Sequence, residues 1–211
     1  VQFQGARIEP GESLSFNQTV GMRTEESGYT AAEEPAYGQN IVGVGGGVCQ
    51  VSTALYRLAL LGGLEIAERS AAVYPVDYCE IGQEAAVSDQ GLDLVLTNNT
   101  DAPLFLVVRV YAENDGQTME WQLIGKENES RFSLVSEVET IDAPEEPVYV
   151  RDSEGRYATY ADERIPVSEA RPGYRATVSL VDENGETVRV VSEDTYDAMA
   201  QIVYVGVQQR N

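Results

Sequence analysis

Residues 43–66 read GVGGGVCQVSTALYRLALLGGLEI, and the fold reading starts there. Four glycines fall within Gly43–Gly47, Cys49 follows, and then Val51, Ala54, Leu55, Leu58 and Ala59 recur at i, i+3, i+4, i+7 and i+8. That spacing is the apolar stripe of an amphipathic helix. Gly62-Gly63 supplies its stop signal. The pattern predicts one main helix over about 48–61, entered through a flexible glycine turn that places a cysteine in its first turn.

Outward from this helix the text changes character. Residues 1–40 are polar and turn-rich: EPGESLSFNQTVG reads as a turn and a short extended or helical piece, and RTEESGYTAAEEPAYGQN as a loop. After the helix, LEIAERSAAVYPVDY reads as a strand followed by a loop. Alternating runs at 92–97, 103–112 and 117–125, divided by NNTD and ENDG, predict an antiparallel meander. A Pro-bounded change of composition at 126–146 opens a second region, where alternation continues, ENGE marks a hairpin and AQIVYVGVQQ reads as a last strand. The expected fold class is therefore an α+β first domain over 1–125, one main helix on an antiparallel sheet, followed by a small elongated all-β domain over 126–211.

Bulk properties narrow the partners. The 211 residues carry 35 acidic and 14 basic side chains, a formal net charge of −21, and no histidine. Nucleic acid binding needs clustered cations to neutralise phosphates, so it is excluded as a partner class. No run approaches 18 consecutive apolar residues, so the sequence holds no membrane-spanning helix. A start at Val1 without methionine is expected of a piece of a longer protein. Two cysteines and no histidine assemble no zinc site, and no cofactor motif is present; GVGGGV lacks the Lys-Ser/Thr of a phosphate loop.

Cys49 carries the chemistry to be weighed. A helix N-terminus favours a thiolate through its dipole and free N–H groups. Glycines 45, 46 and 47 let a ligand approach the backbone closely. Gln50 is placed to donate to an oxyanion, and Ser52 adds a hydroxyl. A cysteine hydrolase also needs a proton donor for its leaving group, which histidine usually supplies. Glu68, Asp77 and Tyr78 are the substitutes, each requiring a large pKa shift. The competing role is structural: a Cys49–Cys79 disulfide would close a loop of about 30 residues and stabilise by about 3–4 kcal/mol. Arg69 and Arg23 are the cations suited to fork a carboxylate, or to pair with neighbouring acids. Tyr29, Tyr37, Tyr56, Tyr74 and Tyr78 either pack or floor a glycan groove.

LSFNQTVG, RTEESGY, VGGGVCQVSTALY, GLEIAER, YPVDY and LVLTNNTDAPLFL stand in the order and spacing of the VanW family, which this chain resembles over about residues 5–125. Residues from about 130 to 207, with VSEDTYDAMAQIVYVGV, resemble a G-five domain. The resemblances imply a Gram-positive, extracellular, cell-envelope protein linked by family name to vancomycin resistance. Its expected partner is peptidoglycan or another wall glycan or peptide. The family pattern places histidines after the ER of GLEIAER, where this chain has Ser70 and Ala72. Three functions follow as expectations. The first is recognition of an envelope polymer at a pocket built on Gly45, Gly46, Gly47, Ser52, Arg69 and Asp77. The second is a thiol peptidase, amidase or transpeptidase with Cys49 as nucleophile and Gln50 as oxyanion donor. The third is a structural spacer.

Overall fold

The computed structural model describes residues 2–36, 39–113, 116–126 and 130–210, without side chains for 32–36, 39–42 and 113. Tyr37 lies outside the described residues. The chain divides into two compact units, 1–137 with 177–193, and 138–176 with 194–211.

The elements of residues 1–137 are β1 (Arg7–Ile8), β2 (Ser13–Ser15), α1 (Phe16–Val20), β3 (Ala31–Ala36), β4 (Gln39–Val44), α2 (Val48–Leu61), β5 (Glu65–Glu68), β6 (Val95–Thr97), β7 (Leu104–Glu113), β8 (Gly116–Ile124) and the first part of β9 (Ser133–Ile141). They are followed by β10 (Val148–Asp152), β11 (Arg164–Ser168), β12 (Gly173–Val181), β13 (Thr187–Tyr196) and β14 (Ile202–Gly206). Four three-stranded sheets run in the orders β1-β7-β8, β2-β6-β5, β13-β12-β9 and β10-β14-β11, and β3-β4 forms a ribbon.

The expected α+β class is corrected by this inventory: the described residues hold fourteen strands and two helices, and the protein is mostly β. The helix reading itself was sound in its bounds, with α2 spanning Val48–Leu61. That helix is one long element among fourteen strands in the described residues. Strands β1, β2 and β6 have two or three residues each, too short to show alternation. The AAEEPA segment of β3 carries residues depleted in strands, and it is nevertheless zipped to β4 in antiparallel register from Ala31↔Val44 to Ala36↔Gln39.

The meander is also replaced. β7 and β8 form the expected hairpin, with Val108 opposite Trp121, but β6 pairs with β2 and β5 instead of β7. Asn98 explains the change of sheet. It is fully buried, and its amide donates to the carbonyls of Ile8 and Ala102, both at 2.9 Å. Its Oδ1 accepts from Thr100 N at 3.0 Å and Thr100 Oγ1 at 2.7 Å. One side chain thus satisfies a corner that carries the chain between sheets.

α2 stops as the glycine pair requires, with two distinct reasons. Gly62 N–H donates to the Leu58 carbonyl at 2.9 Å, and a Cβ on Gly62 would sit 2.7 Å from Leu123 Cδ2. Gly63 takes the left-handed φ of 76°. The helix buries Ser52, Thr53, Leu55, Tyr56, Ala59 and Leu60, so its inner face is turned toward Ser52 and Thr53 relative to the predicted stripe. Leu55, Tyr56 and Leu60 join Phe3, Phe16, Leu94, Leu96 and Leu106 in one core.

Candidate functional site

Strand β4 feeds directly into the glycine turn. Gly45 and Gly47 adopt φ of 93° and 87°, a region that side chains strain to enter. Gly45 N–H donates to the Thr30 carbonyl at 3.2 Å, and the Gly45 carbonyl accepts from Val48 N at 3.2 Å. A Cβ on Gly45 would meet Arg23 Cβ at 3.3 Å, whereas one on Gly47 would meet nothing within 4 Å. Gly45 therefore seats the turn, and Gly47 leaves it open. Gly47 is the N-cap of α2, and no side chain caps the helix. Gln50 is exposed beside this open end, while Gly46 and Cys49 are half-buried.

Arg23 braces the turn from behind. Its guanidinium meets Asp89 Oδ1 at 2.5 Å and also donates to Asn17 Oδ1. Asn17 Nδ2 in turn donates to the carbonyls of Ser88 and Leu92, at 3.2 and 2.8 Å. The Arg23 side chain is 6% exposed, so this cation is spent on the fold and does not reach out for a carboxylate.

A long segment after β5, residues 69–94, wraps the N-terminal half of α2. Ser52 Oγ lies 2.6 Å from the Ala85 carbonyl and donates to it, and Thr53 Oγ1 accepts from Ala85 N at 3.0 Å. Two helix hydroxyls thereby pair both polar groups of one buried peptide residue. The Cys49 thiol donates to the Val87 carbonyl at 3.5 Å. Burial is the first cause that pushes the Tyr78 phenol up to about 12, with the Thr53 hydroxyl, one helical turn beyond Cys49, acting in the opposite direction. Cys79 is pushed up to about 11, by burial first and then by the Glu84 carboxylate.

The loop is pinned by a buried pair. Arg69 Nε donates to the Glu84 carbonyl at 2.7 Å and its NH2 to the Gly82 carbonyl at 3.0 Å; that NH2 also faces Glu84 Oε1 at 3.5 Å. The Glu84 carboxylate accepts from Ala72 N and Gly82 N, both at 3.2 Å. The Arg69 guanidinium also lies over the Tyr56 ring, 5.4 Å from its centroid.

The residues proposed from sequence thus fall into two groups. Gly46, Gly47, Cys49 and Gln50 lie together at the mouth of α2 with Gly47 and Gln50 exposed, while Gly45 is buried. The side chains of Ser52 and Arg69 are buried against residues 82–85, and Asp77 is exposed on the wrapping loop. Both cysteines are free thiols in this structure. A cavity of about 540 Å³ lies at the other end of α2, lined by Leu58, Leu61, Leu104, Leu123, Asp101 and Lys126 among others. Among the described residues no group of three or more acidic or cysteine side chains could hold a metal, and no helix is long and apolar enough to cross a membrane. Sequence reasoning missed Ser52 and Thr53 as loop anchors, and the signal was available: two adjacent hydroxyls next to the apolar stripe of the helix.

The fold and site define a mostly β protein whose longer helix opens through an uncapped glycine turn and is clasped by a pinned loop. The chain belongs to the VanW family, whose model, described as VanW like protein, matches residues 1–122. It is 39% identical over 104 residues to the uncharacterized protein YoaR of Bacillus subtilis, covering 49% of this chain and 34% of YoaR. It is 27% identical over 170 residues to the vancomycin B-type resistance protein VanW of Enterococcus faecalis, covering 78% of this chain and 58% of that protein. The chain therefore spans about a third and somewhat over half of these two relatives. A solved structure described as the crystal structure of HP0197-G5 aligns with 36% of this chain and 100% of its own, at 14% identity and a TM-score of 0.15, a likeness too slight to carry weight.

Proposed function

We propose that this chain is a cell-envelope recognition protein that binds a wall peptide or glycan at the glycine turn before Cys49. The observation that carries the reading is the uncapped start of α2: Gly47 caps it without a side chain, the space beside Gly47 is open, and Gln50 is exposed next to it. First-turn N–H groups of a helix lack intrahelical partners and favour a carboxylate or a polarised carbonyl. The turn is preorganised by the Arg23 brace, so little ordering is needed on binding. The VanW relative, named for vancomycin resistance, supports an envelope setting for this chain.

The chemistry around the sulfur favours recognition over thiol catalysis. The Cys49 sulfur is half-buried and engaged with the Val87 carbonyl at 3.5 Å. Tyr78 and Cys79 both hold their protons more tightly than usual, which suits neither as a base.

Titration of the isotope-labelled chain with muramidase-released peptidoglycan fragments tests the proposal. The amide signals of Gly46, Gly47, Cys49 and Gln50 should move together and saturate, and Gln50→Ala should weaken binding while leaving the spectrum otherwise intact. Saturable binding that leaves those amides unmoved would sink the site, and no binding at all would sink the ligand class.

A further inference from the structure

The second compact unit carries a pair of uncommitted arginines on one open sheet face. In the sheet β10-β14-β11, Arg151 and Arg164 both register with Val205 of the central strand, from opposite sides. Partners in register project to the same face, so Arg151, Val205 and Arg164 form one row. Two strand spacings set the arginine Cα atoms about 9–10 Å apart. Both arginines are exposed.

Their isolation has a structural cause. Each arginine has an acidic neighbour in sequence, Asp152 after Arg151 and Glu163 before Arg164. Both carboxylates are already occupied. Asp152 accepts from Tyr157 N at 2.6 Å and Ala158 N at 3.0 Å, and is 4% exposed. Glu163 accepts from Thr159 N at 2.9 Å and Tyr160 N at 3.0 Å, and its other oxygen meets Arg210 at 3.1 Å. In the same unit Arg156 pairs with Glu154 and Arg175 with Glu139. Beyond the backbone ladder, the side chains of Arg151 and Arg164 have no hydrogen bond or ion pair among the described residues. In a chain of net charge −21, two exposed guanidiniums left unpaired on one row stand apart from that pattern. Tyr149, 58% exposed, lies two residues before Arg151 on the same face and adds an apolar ring beside the cations.

We infer that this face of the β10-β14-β11 sheet binds a phosphodiester-linked polyol or glycan, with Arg151 and Arg164 each forking a phosphate and Tyr149, two residues along β10 from Arg151, packing on the adjoining polyol. Guanidinium takes phosphate oxygens in a bidentate fork, and arginines about 10 Å apart on a flat face match successive charges of an extended polymer better than one compact ion. The overall negative charge opposes association at long range, so binding is short-range and specific to this row. The inference is independent of the glycine-turn reading, because the two sites share no residue.

The test uses the whole chain and synthetic poly(glycerol phosphate), by calorimetry at low ionic strength. Alginate serves as a polycarboxylate comparison and dextran as a neutral one. The expected result is saturable binding to poly(glycerol phosphate), weaker binding to alginate and none to dextran. Arg151→Gln with Arg164→Gln should weaken phosphate-polymer binding by about tenfold or more. Arg156→Gln, which removes a paired arginine of the same unit, should change it less than about twofold. Unchanged binding in the double variant with retained thermal stability overturns the assignment. Equal loss in Arg156→Gln reduces it to general charge, equal binding of alginate overturns the phosphate specificity, and absence of binding by the unmodified chain overturns it outright.

Discussion

The two left-handed glycines of the turn permit a quantitative separation of backbone strain from packing. Gly45→Ala and Gly47→Ala each place an L side chain near φ of +90°, which costs about 1–2 kcal/mol. At Gly47 the new methyl meets open space, so strain is the whole effect. At Gly45 the methyl lies 3.3 Å from Arg23 Cβ and 3.6 Å from Arg23 Cγ and Val48 Cγ2. Arg23 cannot yield cheaply, because Asp89 and Asn17 hold its guanidinium and its backbone N–H donates to Asp89 Oδ2 at 3.2 Å. Overpacking of this kind adds about 1–3 kcal/mol. Gly45→Ala should therefore exceed Gly47→Ala by at least about 1 kcal/mol, or about 2–4 °C in Tm for a unit of this size. Urea unfolding followed by Trp121 fluorescence reads the difference in the residue 1–137 unit. The excess should shrink when Arg23→Gly, which removes the Cβ that the new methyl meets, is present in both backgrounds, as a double-mutant cycle requires for a direct contact. Gly47→Ala costing as much as Gly45→Ala, or an excess that survives Arg23→Gly, would refute the brace.

The other expectations concern charge and protonation. Arg69→Met leaves Glu84 buried with two N–H donors and one cation fewer, and should destabilise by about 3–5 kcal/mol in urea unfolding, whereas Arg69→Met with Glu84→Leu should recover part of that loss; no recovery would mean that packing alone decides. Asp152 and Glu163 are held below the ordinary carboxylate range, chiefly by backbone N–H donors. Their folded pKa values are depressed, so their stabilisation is present above the unfolded carboxylate range and is lost as pH falls through the folded values. Acid titration followed by hydrogen exchange should show the 152–163 loop opening below about pH 4, and Asp152→Asn should flatten that dependence. With its thiol pushed up to about 11, Cys79 should alkylate with iodoacetamide about tenfold faster per pH unit between pH 7 and 10. A plateau below pH 9 in peptide mass mapping would contradict the burial that raises it.

The helix and its glycine boundaries were legible because they depend on local periodicity and on φ, both written into consecutive residues. The β7-β8 hairpin was legible for the same reason. The rest of the first unit was not, because its decisive interactions join residues far apart in sequence. Nothing local in RTEESGY announces that Arg23 will meet Asp89, or that Asn17 will hold the carbonyls of Ser88 and Leu92. Asn98 reads as a turn residue from its neighbours alone, and its partnership with the Ile8 carbonyl, 90 positions away, is what redirects the chain. At the site, the glycine surface was readable and the depth of its neighbours was not. Ser52 and Arg69 have the chemistry of ligand contacts, but their polar atoms are spent on the 82–85 backbone.

That division bears on what a cysteine does in a chain without histidine. Its sulfur sits in the first turn of α2 and donates to the Val87 carbonyl at 3.5 Å. That acceptor is supplied by a loop that Ser52, Thr53, Arg69 and Glu84 together fasten to the helix. Those anchors leave the turn's backbone and Gln50 free at the surface while they set the sulfur against an acceptor. A site arranged for nucleophilic attack needs the opposite, an exposed sulfur with donors around it and a base within reach. The pinned loop therefore suits Cys49 to the wall of the proposed binding surface better than to attack, and on that proposal the exposed backbone at Gly47 is the part that would meet the ligand.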